Sequence, residues 1–141
     1  MIHSVHSKIT PSFLLHQFYT PDPQTEIAKF SRIDISPPDQ SLQVAFLHLP
    51  ERQTFKAHKH ILHKRDMPIA QESWVVMQGS VKVFYYDIDD KLIDSVILAQ
   101  GSISLTYHGG HNYLSLAPST LVYEFKTGPY LGQQYDKVFL D

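Results

Sequence analysis

From about Leu42 to Lys126 apolar and polar residues recur with a period of two, the mark of half-buried strands. No stretch sustains the longer period of an amphipathic helix. The segments LQVAFLHL, TFKAHKH, ESWVVM, SVKVFYYDI, KLIDSVIL, SISLTY, NYLSL and TLVYEFK read as short strands, rich in valine, isoleucine and aromatic residues. The Asp87–Asp90 turn separates two of them closely enough to predict a hairpin, and Gly101, Gly109–Gly110 and Pro118 punctuate the rest. Short strands at even spacing predict an all-β fold, an antiparallel sandwich or barrel.

Before about Ser41 this alternation is lost. Pro11, Pro21, Pro23, Pro37 and Pro38 interrupt the chain, and the expectation is an irregular N-terminal arm over 1–40 preceding a β-barrel domain over 41–141. One short helix is predicted in the arm, with Asp22 as N-cap, Pro23 in the first helical position and QTEIAKF following. Ser36-Pro37-Pro38-Asp39 cannot continue a helix and should turn the chain into the body of the fold.

A chain of 141 residues with 43% hydrophobic and 18% charged content suffices for one globular domain with its own core. A net charge of −2 gives no reason to expect nucleic acid or an anionic membrane as partner. The absence of cysteine excludes disulfides, thiol catalysis and thiolate metal sites. The first residues lack the basic start and long apolar block of a signal peptide, and no run approaches the ~20 apolar residues of a membrane span. A soluble, cytoplasmic protein is the expectation.

The chemistry concentrates between Lys56 and Gly79. His58 and His60 sit one residue apart, so in an extended strand they share a face. Glu72 leads an apolar strand, Trp74 shares its face, and His111 stands behind two glycines. Imidazoles and a carboxylate converging in a cavity suit a divalent first-row ion. Any one of these histidines alone would be an ordinary hydrogen-bonded group. Only the joint spacing points to a metal.

Around this set lie secondary candidates. Lys56 shares the face of His58 and His60 if the alternation is unbroken, and with Lys59, Lys64 and Arg65 it could hold a carboxylate or phosphate. A solvated loop explains the same basic residues. His63 is a spare ligand or a pocket-rim group, His108 a candidate for substrate contact, and Tyr107 a candidate proton donor. His3, His6, His16 and His48 are given no chemical role. Asp87, Asp89 and Asp90 lack the glycine, closing glutamate and helices of a calcium loop, so a hairpin turn is expected. Gly109–Gly110 precedes no helix and serves a tight turn rather than a phosphate.

His58-x-His60, then Glu72 followed by six residues and Gly79, resembles the first motif of the cupin superfamily. Gly101, Gly110 and His111 resemble the second, and KTGPYLGQQYDKV is similar to the end of small single-domain cupins linked to bacterial surface-saccharide metabolism. The resemblance covers about residues 40–141 and implies a jelly-roll barrel of two antiparallel sheets. It implies one divalent ion (iron, manganese, zinc, nickel or copper) held by His58, His60, Glu72 and His111. Lys56, Trp74 and His63 would then contact substrate, with Glu72, His108 and Tyr107 catalytic. A homodimer is implied as well. Two functions stay open. One is a metal-dependent enzyme, an isomerase, epimerase or dioxygenase, on a sugar or sugar-acid type metabolite. The other is a pocket that binds or senses such a metabolite without turnover.

Overall fold

The structure, a computed structural model, describes residues 1–22, 31–64 and 66–140. The helix expected after Asp22 and the side chain of Arg65 lie outside the described residues. Within them the chain forms β1 (Ile2–His6), β2 (Leu14–Tyr19), β3 (Ser31–Asp34), β4 (Ala45–His48), β5 (Glu72–Gln78), β6 (Ser80–Tyr86), β7 (Leu92–Ala99), β8 (Ile103–Thr106), β9 (Gly110–Ser115) and β10 (Leu121–Lys126). A single helical turn, α1 (Gln133–Asp136), follows.

The strands make a five-stranded sheet in the order β1-β2-β8-β5-β10, a three-stranded sheet β7-β6-β9 and a β3-β4 ribbon. All pairings are antiparallel. From β5 onward the chain crosses repeatedly between the two larger sheets, and only β6 and β7 form a hairpin within one of them. The first crossing turns at Gly79, whose φ of +77° suits glycine and whose missing side chain leaves room for Thr120. No closed barrel forms among the described residues; the architecture is a layered β-sandwich.

Strand alternation sorts the interior into two cores. Between the larger sheets pack Val5, Val76, Val81, Val83, Tyr85 and Leu98, with Phe18, Tyr113 and Val122 against them. Burying a side chain such as Leu98 contributes about 2 kcal/mol. The opposite face of the five-stranded sheet carries Tyr19, Ile103, Leu105 and Tyr107, covered by Ile35, Val44 and Phe46 from the β3-β4 region. At its centre, along β2 and β8, the five-stranded sheet is therefore buried on both faces. All of Ile103–Thr106 is buried, with Ile103 and Leu105 in the outer core and Ser104 and Thr106 turned the other way.

The expectation of an irregular arm over 1–40 is corrected here. β1 and β2 are integral strands of the main sheet, and β2 is the neighbour of β8. Asp87 fastens this region to the β6-β7 hairpin. Its carboxylate accepts the Lys8 N–H at 2.7 Å and the Ile88 N–H at 2.8 Å. Burial works against the ionised form, but the Ser7 hydroxyl and these amides outweigh it and hold the carboxyl below its usual range. The hairpin turn expected at Asp87–Asp90 is present, closed by the Asp87 N–H on the Lys91 carbonyl at 2.8 Å. The expected strand over TFKAHKH is absent; residues 53–64 are exposed and outside regular structure.

Gly109 has a φ of +72°, and a Cβ there would collide with the Tyr86 carbonyl. Gly109→Ala is expected to cost about 3 kcal/mol by urea unfolding, from left-handed backbone and the clash together. A loss under about 1 kcal/mol would mean that the turn before β9 relaxes freely.

Candidate functional site

Register places a polar row across one end of the inter-sheet space. In the five-stranded sheet Lys126 lies opposite Glu72, Glu72 opposite Thr106, and Thr106 opposite His16. Directly opposed residues share a face, so all of these look toward the three-stranded sheet. That sheet answers with Tyr85 opposite His111.

The row's central contact joins the sheets. His111 Nε2 lies 3.2 Å from Glu72 Oε1, and the side chains are only 24% and 14% exposed. Trp74, two residues along the same face, donates its indole N–H to the same oxygen at 2.8 Å. Its ring stacks on Tyr113 at 3.9 Å between centroids, and Tyr113 in turn lies 5.3 Å from His111. Burial alone would raise the Glu72 pKa. The hydrogen bond and charge of His111, the Trp74 N–H and the charge of Lys137 outweigh it and hold the carboxyl below its usual range.

An ionised carboxylate only accepts, so His111 Nε2 carries the proton. Nδ1 then bears a lone pair in the neutral ring and a second N–H in the imidazolium, and in both forms this buried atom meets no partner among the described residues. The arrangement offers a held carboxylate and an orphaned imidazole nitrogen in one place. Such a pair can accept a proton from a ligand hydroxyl or donate electron pairs to a cation.

His16, given no role from sequence, stands at the other end of the row and is fully buried. A carbonyl only accepts, so Nε2 donates to the Tyr86 carbonyl at 3.1 Å and Nδ1 accepts from the Thr106 hydroxyl at 3.1 Å. The ring also packs on Tyr85, 4.6 Å between centroids. Burial lowers its pKa from 6.5 to about 4, only partly offset by the Tyr86 bond. Tyr85 and Tyr113 share the Ser104 hydroxyl at 2.9 and 3.4 Å, and burial pushes both phenols up.

The other expected site residues fall elsewhere. Tyr107 is corrected as a pocket hydroxyl. It follows Thr106, so alternation turns it to the outer core, where it donates to Gln17 Oε1 at 2.8 Å and burial pushes its pKa to about 12. His108 packs against Phe13, 4.5 Å between ring centroids, with burial lowering its pKa. His58 and His60 lie beside each other, 5.5 Å between ring centroids, on the exposed segment. Lys56 and His63 are exposed on the same segment. Among the described residues no group of three or more histidine, aspartate or glutamate side chains is gathered, so the expected four-ligand set is not assembled. Glu72, His111 and Trp74 are brought together; His58, His60, Lys56 and His63 are not.

Because His16 is neutral when folded and takes up a proton near pH 6.5 when unfolded, its contribution is intact above pH 6.5 and is lost as pH falls toward 4. Stability should drop by about 2 kcal/mol between pH 7.5 and 5 from this group, and His16→Gln should remove that part of the slope. Identical slopes in urea titrations of both proteins would refute it.

No helix among the described residues is long and apolar enough to cross a membrane. Comparison with family models, curated proteins and solved structures found no match.

Proposed function

We propose that the chain is a cupin-type jelly-roll protein that binds a small polar metabolite of the sugar or sugar-acid kind at the Glu72–His111 end of its sandwich. A divalent transition ion there would be held by Glu72 and His111 together with His58 and His60. The observation that carries the reading is the 3.2 Å meeting of Glu72 and His111 across two sheets, with His111 Nδ1 buried and unpartnered among the described residues. Carboxylate and imidazole without sulfur are the donors that such ions take.

Topology supports the finer fold. Among the described residues β9 has a strand neighbour on one side only, β6, so its other edge is open. Residues 54–60 have the alternation of a strand and lie outside the strands formed by the described residues. Pairing that segment with β9 would give the smaller sheet a fourth strand, and bring His58 and His60 alongside the strand that carries His111. An open strand edge is unfavourable, and this pairing would cover it.

When bound, the ion would supply Lewis acidity toward a carbonyl or hydroxyl oxygen, or a site for dioxygen. The chain's own residues do the rest. Glu72 stays ionised through its bonds to His111 and Trp74, and His111 Nδ1 carries the one lone pair that would bind the ion or, in an ion-free pocket, accept a ligand proton. A second reading is a pocket that binds or senses the metabolite without turnover. It is favoured by Tyr107, which is turned to the outer core and so withholds the expected phenol proton donor from the pair.

Elemental analysis of the purified protein should find a stoichiometric first-row ion. Glu72→Gln, His111→Ala and His60→Ala should each weaken its retention at least tenfold while the sandwich still folds. Undiminished retention in all three would overturn the ligand assignment. Metal-dependent conversion of sugar-type substrates, abolished by chelator, separates the enzyme from the binding module.

A further inference from the structure

The segment that follows β10 returns over the end of the sandwich where Glu72 meets His111. Asp136 of α1 ion-pairs with Lys126 at 3.0 Å, both half-buried, and Lys126 is the register partner of Glu72. Lys126 also lies over the Tyr130 ring, 4.1 Å from its centroid, so two points of the segment fasten to one side chain. Immediately beyond, Lys137 is near enough for its charge to favour the Glu72 carboxylate. Leu140 then sits on Gly110, where an added Cβ would come within 2.6 Å of its Cδ1. Gly110 directly precedes His111.

The segment is therefore tied at one end beside Glu72 on the five-stranded sheet and at the other beside His111 on the three-stranded sheet. The residues from Lys137 to Leu140 can span at most roughly 14 Å, which bounds the length of chain between those ties. Its own packing is slight: Tyr135, Val138 and Phe139 are 77%, 87% and 75% exposed. A segment held by one ion pair, one cation–π contact and one apolar foot, with its remaining bulk in solvent, opens at low cost compared with the strands beneath it.

We infer that residues 127–140 form a strap across the Glu72–His111 site, latched by Lys126–Asp136 and by Leu140 on Gly110, and that its release admits ligand to the pair. The assignment of the strap as a gate rests on the proposed site, but its shielding of His111 can be measured without any ligand or ion. Diethyl pyrocarbonate labels accessible imidazoles, and peptide mass spectrometry separates the histidines. In the wild-type protein His111 should label at least tenfold more slowly than exposed His58. Asp136→Asn combined with Leu140→Ala should speed His111 labelling at least fivefold and leave His58 unchanged, with buried His16 still unlabelled as the sign of an intact fold.

The chain has no cysteine, so Gly110→Cys with Leu140→Cys introduces a single possible disulfide. Oxidised, this variant should label at His111 at least fivefold more slowly than when reduced. The inference is overturned if His111 labelling is the same in the wild type and the unlatched variant. It is equally overturned if the folded double-cysteine protein forms no disulfide, or if locking leaves the labelling rate unchanged. A negative metal assay would leave these outcomes standing, so failure of the strap and failure of the metal reading are told apart.

Discussion

A carboxylate and an imidazole facing each other across the seam of two sheets set the terms for everything around them. Removing an ionised carboxylate from water costs several kcal/mol unless its oxygens are bonded, and here the Glu72 side chain is mostly covered. His111 and the Trp74 indole both reach one oxygen of Glu72, and Lys137 adds favourable charge. Trp74 is thus fixed by its N–H and by its stack on Tyr113, which fixes Tyr113 beside His111 in turn. The row continues through Thr106 to His16, where every ring nitrogen has a partner. One end of the row is saturated and structural. The other keeps an unpartnered nitrogen among the described residues, and that asymmetry is why the chemistry is assigned to the Glu72–His111 end.

Much of this was legible in the alternation of the chain. ESWVVM, SVKVFYY, LIDSVIL, ISLT and the strands after them appear where their patterns put them, and Glu72 and Trp74 do share a face. β1 and β2 were not legible because β2 is buried on both faces, so Leu14–Tyr19 shows no clean polar side, and prolines flank it. His16 went unseen for the same reason. Tyr107 was misplaced by a different limit. Alternation fixes that Thr106 and Tyr107 point oppositely, but only the pairing of Thr106 with Glu72 says which of them looks into the site.

His58 and His60 mark where the pattern and the structure part. Their spacing in TFKAHKH satisfies a strand, yet a strand also needs an edge to pair with, and local sequence does not encode that partner. The open side that β9 has among the described residues is such an edge.

The polar end of the sandwich also cannot be closed in the way the apolar end is. Packing leucine or valine over Glu72 and His111 would strip solvent from a charge and from a lone pair with nothing to replace it. A cover for this end must bring polar groups of its own, and Asp136, paired with Lys126 of the strand beneath, and Lys137 do so. Those contacts are partly solvated and individually weak, so the cover stays separable from the strands beneath it. A site whose buried pair is costly to seal with apolar side chains and cheap to cover with a loosely held segment is suited to admitting a small polar ligand, which can supply the hydrogen bonds that His111 Nδ1 does not receive among the described residues.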